Sequence, residues 1–161
     1  MNAITVGIIT VSDRAAEGIY EDLGGPALAK KCRELGWEIQ SEAIVPDDIA
    51  KIQTSIRSFS AQGCQLILTT GGTGIAARDR TPEAIRSIMR LEIPGFGETM
   101  RAESFKLTPN GILSRGLAAM VDSSLVIALP GKPQGAVDCL TIVAGAIPHA
   151  VKLSQGMPTS C

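Results

Sequence analysis

Aromatic residues make up only 3% of this chain, with one tryptophan, one tyrosine and three phenylalanines. A surface that stacks single-stranded bases needs several exposed rings, so that mode of nucleic-acid binding is disfavoured. Charge does not favour it either. The 15 basic and 16 acidic residues leave a formal net charge of -1, with no excess to attract nucleic acid or an anionic membrane. His149 is the single histidine, which removes histidine-rich metal sites and speaks against a histidine-based triad. The four cysteines, Cys32, Cys64, Cys139 and Cys161, show no CxxC pair or metal-ligand spacing. Free, mostly buried thiols in a reducing cytoplasm are expected. No apolar run approaches the roughly 18 residues of a membrane span. The opening "MNAITVGIITV" has an apolar stretch like a signal-peptide core, but no basic region precedes it. Ser12, Asp13 and Arg14 follow at once, which reads as a buried strand.

There is apolar material enough for one core. The 161 residues are 45% hydrophobic and are expected to form a single domain over residues 1–161, without staples. Three nearly continuous apolar runs of strand length stand out at Ile4–Val11, Gln65–Thr70 and Ser124–Pro130, with a weaker one at Trp37–Val45. Continuous rather than alternating runs suit parallel strands covered on both faces. Helices fall between them. The segment 25–36 places Pro26 near a first turn and Gly36 at the stop. The segment 46–63 puts Ile49, Ile52, Ile56 and Phe59 on one stripe before Gly63. A third helix is expected with Thr81 as N-cap and Pro82 at the first helical position, and a last one from Pro133 to Ile147. This alternation predicts an α/β fold of three layers, a mostly parallel sheet with helices on both faces. The segment 89–121 departs from the rhythm and reads as short helices broken at Pro94, Gly95, Pro109 and Gly111. It is expected to be a small helical insertion across the functional end of the sheet.

Ligands of open parallel sheets sit beyond the carboxyl ends of the strands. Four loops are expected to converge there: 12–26, 45–48, 69–74 and 130–135. In "TTGGTGIAARDRTPEAI" at 69–85, Gly71, Gly72 and Gly74 are able to turn backbone N–H groups around an anion, with Thr70 and Thr73 beside them. A tight turn with no ligand is the plainer account. The loop is neither a Walker loop nor a GxGxxG fingerprint. Thr81 and Pro82 account for the helix start, so Asp79 is free of capping duty and is a candidate magnesium ligand. A salt bridge to Arg78 or Arg80 is its alternative. Asp47 and Asp13 each follow a strand, as a helix cap or as a second acidic group at the same place. Lys132, in "LPGKPQG" with Pro130 and Gly131, and Arg101, Ser114 and Arg115 are candidate contacts to an anionic ligand, or members of a solvated face. The residues alone stop at a phosphate-ester or nucleotide-binding α/β protein.

The same residues resemble a known family. "TTGGTG" at 69–74 with "RDRTPEA" at 78–84 is similar to the signature of the molybdopterin-binding domain of molybdenum cofactor biosynthesis proteins. "VSDR" at 11–14, "PDD" at 46–48, "PGFGETMR" at 94–101, "ILSR" at 112–115 and "LPGKP" at 129–133 follow in the family's order. "EGIYEDLGGPAL" at 17–28 resembles the stand-alone bacterial branch. That resemblance implies transfer of AMP from magnesium-ATP to the terminal phosphate of molybdopterin, a nucleotidyltransferase reaction that releases pyrophosphate. It implies catalytic and metal roles for Asp47 and Asp79. Ligand contacts are expected from Ser12, Asp13, Thr70, Gly71, Gly72, Thr73, Gly74, Ser114, Arg115, Pro130, Gly131 and Lys132. It further implies a homotrimer in the cytoplasm, with the molybdenum insertion enzyme of the pathway as partner. Two other readings stay open. One is a sister-branch paralogue that binds pterin or nucleotide with weak or no transfer, and the other is a trimeric scaffold.

Overall fold

The computed structural model describes residues 3–159. Strand β1 (Thr5–Val11) leads through the short helix α1 (Asp13–Ala16) and helix α2 (Gly24–Glu34) to β2 (Glu38–Val45). Helix α3 (Ile49–Ala61), β3 (Leu66–Thr70) and α4 (Thr81–Arg86) follow. Then come β4 (Leu91–Glu92), α5 (Pro94–Leu107), a 3-10 turn at Pro109–Leu113, and the hairpin of β5 (Ala118–Val121) and β6 (Ser124–Leu129). Helices α6 (Pro133–Val143) and α7 (Ile147–Ser154) close the chain.

The six strands lie in the order β2-β1-β3-β6-β5-β4. Pairing is parallel from β2 across to β6, and only β5 runs against the rest. The continuous apolar runs form the centre of the sheet. Every residue of β3 and β6 is buried, whereas the edge strand β2 alternates in exposure, as burial on two faces or one dictates. Alternate side chains feed two cores. Val6, Ile8, Leu68 and Ile127 pack under α2, α5, α6 and α7 through Leu28, Met100, Leu140 and Ile147. Ile9, Ile67 and Val126 pack on the other face against Ile52 and Ile56 of α3 and Ile85 of α4. The three-layer α/β expectation therefore holds. Helix α2 does stop at Gly36, which takes a φ of 78°, and the first N–H groups of α3 are capped by Asp48, whose Oδ1 accepts from Lys51 N at 2.9 Å.

Three expectations need correction. The segment 89–121 breaks at Pro109 and Gly111 as expected, where α5 gives way to the 3-10 turn, but not at Pro94 and Gly95. Pro94 and Gly95 lie in the first turn of a single 14-residue helix, α5, because proline starts a helix as readily as it breaks one. The run Leu117–Val121 is fully buried, and its last four residues are β5, paired antiparallel with β6. Thr81 is not a cap but a helical residue. Its hydroxyl donates to Gly71 O at 2.9 Å, and Arg80 stands at the N-cap without a side-chain cap bond. Finally, no consecutive apolar run spans a bilayer, yet the helical stretch Pro133–Ser154 is 22 residues long and apolar enough to do so by length and composition. Ala136, Cys139, Leu140, Val143, Ile147 and Val151 lay this stretch against the sheet, as expected of a covering helix. Cys32, Cys64 and Cys139 are free and buried, as expected, and Cys161 lies outside the described residues.

One buried group is not satisfied. Thr69 is fully buried in β3, and its Oγ1 has no hydrogen-bond partner among the described residues. A buried hydroxyl without a partner costs about 1–3 kcal/mol. Thr69→Val keeps the shape and removes that cost, so it is expected to stabilise the fold by about 1 kcal/mol. A thermal melt checks this: a rise of about 2–4 °C is expected, and a fall would show that the hydroxyl is supported.

Candidate functional site

The chain order fixes where a crevice opens. From β1 the chain moves to β2 on one side, then returns to β3 on the other. Loops leaving β1 and β3 diverge at that switch point, and ligands of α/β sheets bind in the gap. A crevice of about 210 Å3 lies there, walled by Ser12, Asp13, Asp47, Thr70, Gly71 and Gly72, with Asp79 and Gly131 completing it. All four expected loops contribute to it.

The glycine turn is shaped by close approach. Gly71 has a φ of 107°, and a Cβ on it would sit 2.2 Å from the Val11 carbonyl oxygen. A Cβ on Gly72, whose φ is 68°, would sit 2.3 Å from Thr81 Oγ1 and 3.1 Å from Asp47 Oδ1. Only glycine fits either position without displacing backbone or side chain. The turn is then tied down through its oxygens. Gly71 O takes the Thr81 hydroxyl, Gly72 O takes Thr81 N at 3.1 Å, and Thr73 O takes Arg115 N at 2.8 Å. Gly74 O takes Arg115 Nε at 2.8 Å. The Gly71 N–H is spent on Leu129 O at 3.1 Å, so the anion nest expected from Gly71 begins one residue later. Among the described residues, the N–H groups of Gly72, Thr73 and Gly74 have no acceptor.

The carboxylates are held by backbone rather than by cations. Asp47 Oδ2 accepts from Asp13 N at 3.2 Å, and Asp13 Oδ1 accepts from Asp47 N at 2.9 Å. Capping of α3 belongs to Asp48, so Asp47 is not the cap. Asp79 Oδ2 accepts from Ala76 N at 2.9 Å, and no ion pair among the described residues includes Asp79. The Oδ1 atoms of Asp47 and Asp79 make no hydrogen bond among the described residues. Burial pushes the Asp47 carboxyl up, and the charges of Asp13 and Asp79 push it the same way, against the hydrogen bond from Asp13 N and the Arg78 charge. Arg78 lines the crevice. Arg80 stays exposed, with its Nε 3.5 Å from Ala77 O.

Other expected contacts are placed differently. Ser12 caps α1 by accepting from Ala15 N at 3.2 Å, and the Thr70 hydroxyl donates to Pro130 O at 2.7 Å. Thr73, Gly74, Ser114, Pro130 and Lys132 face a second cavity of about 410 Å3, which Gly131 also lines. Arg115 lines neither cavity. Its guanidinium bonds Gly74 O, Asp79 O at 2.7 Å, and the Glu83 carboxylate, and that guanidinium holds Glu83 below the usual carboxylate range. Arg115 positions the loop. Arg101 is likewise structural, donating to Gly116 O at 2.8 Å. Asp22 was missed. It lines the crevice, accepts the Thr10 hydroxyl at 2.8 Å, and accepts from Gly25 N at 3.0 Å. An aspartate three residues before a helical glycine was the available signal.

The fold and site define an α/β protein with a mostly parallel sheet and a crevice at its switch point that holds an open amide and two unpaired carboxylate oxygens. The family described as "Probable molybdopterin binding domain" matches residues 7–149. The chain is 44% identical to a molybdopterin adenylyltransferase of Helicobacter pylori J99, over 97% of this chain and 90% of that one. It is 36% identical to the molybdopterin adenylyltransferase of Escherichia coli K12, over 97% and 88%. Its fold matches the molybdopterin biosynthesis enzyme MoaB from Thermus thermophilus with a TM-score of 0.90 and 39% identity, over 98% and 99% of the two chains. This chain belongs to the molybdopterin-binding domain family of molybdenum cofactor biosynthesis.

Two substitutions test the geometry. Gly71→Ala is expected to destabilise the fold by at least about 3 kcal/mol, because a clash with backbone adds to an unfavourable φ; an unchanged melting temperature would contradict the close approach. A carboxyl with a raised pKa costs stability once ionised, and the cost vanishes below its unfolded value near 3.9. Asp47→Asn keeps an acceptor for Asp13 N, so its melting temperature at pH 7.5 is expected to equal or exceed that of the parent. The difference should close as the pH falls to 4. A lower melting temperature at pH 7.5 would mean that the charge is stabilising.

Proposed function

We propose that this chain is a molybdopterin adenylyltransferase, moving AMP from magnesium-ATP to the terminal phosphate of molybdopterin and releasing pyrophosphate. One observation carries the reading. Asp47, Asp79 and the open amide of Gly72 line one crevice, in a chain 44% identical to a protein of that name. A molybdopterin phosphate oxygen attacks the α-phosphorus of ATP in line. The new oxygen–phosphorus bond forms as the bond to the bridging oxygen breaks, and the electron pair leaves with pyrophosphate. No covalent bond to the chain is needed. The Gly72 N–H at the crevice is preorganised to take charge on a phosphate oxygen, with Arg78 adding a cation there, while Thr73 and Gly74 lie at the second cavity. Arg115 and Thr81 keep the loop in place through its carbonyls, so positioning rather than acid–base work supplies the rate.

The residues fit magnesium. This ion commonly uses one or two carboxylates and completes its shell with substrate phosphates and water, and the open Oδ1 atoms of Asp79 and Asp47 supply such a pair. When bound there it would neutralise phosphate charge. Burial is the main cause that pushes the Asp47 carboxyl up, and the smaller push from the Asp13 and Asp79 charges favours a cation in the same place. We also infer a cytoplasmic homotrimer able to hand its product to the molybdenum insertion enzyme of the pathway. Exposed Phe105, Leu107, Ile112 and Leu113 offer apolar surface for subunit packing. A second reading has its own observation. The fold match at a TM-score of 0.90 is to MoaB, described as a biosynthesis enzyme rather than a transferase. A family member that binds pterin without adenylyl transfer would show the same crevice.

Pyrophosphate release from magnesium-ATP, with and without freshly prepared molybdopterin, decides between them. Release is expected only when molybdopterin is present. Asp79→Asn is expected to lower turnover more than about tenfold with the fold intact, as loss of a contact made in the transition state does. Tight pterin binding by a folded protein without release would put the second reading first.

A further inference from the structure

Three exposed apolar side chains crowd into the five residues 19–23, and two of them line the crevice. Ile19, Tyr20 and Leu23 are 71%, 56% and 48% exposed, and Tyr20 and Leu23 both line the crevice. Single exposed apolar residues are ordinary. Here, however, the only tyrosine of a chain with 3% aromatics stands beside a leucine on the rim of a polar cleft. The loop beneath them is fixed. Gly18 takes a φ of 72°, and the N–H groups of Ile19 and Tyr20 both donate to Arg14 O, at 2.9 and 3.2 Å. Two residues further on, Asp22 is tied through both carboxylate oxygens to Thr10 and Gly25. The phenol oxygen makes no hydrogen bond among the described residues, so no such bond among them draws the ring away from the rim.

The crevice, at about 210 Å3, is smaller than the roughly 300–1,000 Å3 of pockets that enclose whole small molecules. Its lining carries the carboxylates of Asp13, Asp22, Asp47 and Asp79 with Arg78 and the open amide of Gly72. A phosphorylated heterocycle therefore sets its phosphates among these groups and leaves its ring at the mouth. We propose that Tyr20, flanked by Leu23, is the platform on which the planar fused nitrogen heterocycle of that ligand stacks, either adenine or a pterin. The proposal rests on the phosphate-binding reading of the crevice and adds a specificity-determining residue to it.

Calorimetric titration of the full chain tests this with three probes in the presence of magnesium: ATP, tripolyphosphate, which has the phosphates and no ring, and neopterin monophosphate. Tyr20→Ala is expected to weaken ATP, neopterin monophosphate or both by about tenfold, in line with loss of one stacked ring. Tripolyphosphate should stay within about twofold, and Tyr20→Phe, which keeps the ring face, should bind all three like the parent. Loss for ATP alone assigns adenine, and loss for neopterin monophosphate alone assigns the pterin. Unchanged affinity of Tyr20→Ala for both ring-bearing probes overturns the platform, as does an equal loss for tripolyphosphate. Pyrophosphate release by the parent protein separates this from the adenylyl reading. Release with Tyr20-independent binding removes the platform alone. Tyr20-dependent binding without release removes the transfer alone.

Discussion

The site depends on one close crossing. After β3 the chain passes so near the end of β1 that a Cβ on Gly71 would lie 2.2 Å from the Val11 carbonyl oxygen. At the same residue, the N–H is bound to Leu129 O at the end of β6. The carboxyl ends of the three central strands are thereby joined at a position that only glycine can occupy. Everything downstream inherits its place from this contact. Gly72 O receives Thr81 N and so positions the start of α4, while Thr73 O and Gly74 O are taken by Arg115. Because the carbonyls are committed to protein partners, the amides of Gly72, Thr73 and Gly74 are the groups left for an anion.

Carboxylates gathered in one crevice are electrostatically unfavourable unless a cation joins them. The chain supplies only part of that compensation. Asp13 and Asp47 exchange backbone hydrogen bonds, and Asp79 is held by Ala76 N. None of these partners carries a positive charge. Arg115, the arginine with the most hydrogen bonds here, spends its charge on Glu83 and its remaining N–H groups on loop carbonyls. Asp47 keeps a raised carboxyl, chiefly through burial and further through the Asp13 and Asp79 charges, which Arg78 offsets only in part.

The sheet was readable in the sequence because burial on both faces leaves an unbroken apolar run, and the runs at Ile4–Val11, Gln65–Thr70 and Ser124–Pro130 all became central strands. Asp79 was readable as a residue with no capping work to do, whereas Asp47 stood between a helix cap and an acidic group until the structure gave the cap of α3 to Asp48. The reason assigned to Asp79 was partly mistaken, since Thr81 is not the cap. What escaped was whatever depends on tertiary partners. The run Leu117–Val121 has too little periodicity to separate strand from helix, and only its pairing with β6 decides. Arg115 looked like an anion contact because its motif lies near the pocket. Its direction is set by Gly74 O and Asp79 O, two carbonyls that no sequence pattern reports.

The two cavities account for the position of Gly131. This residue lines both the crevice with Asp47 and Asp79 and the larger cavity with Ser114 and Lys132. A Cβ on it would lie 3.3 Å from Gly71 Cα. Gly71 and Gly72 line the crevice, while Thr73 and Gly74 line the larger cavity, so the glycine turn runs between the two. The glycines at 71–74 and 131 thus serve two ends, letting the strand ends cross and leaving the partition between the cavities no thicker than backbone.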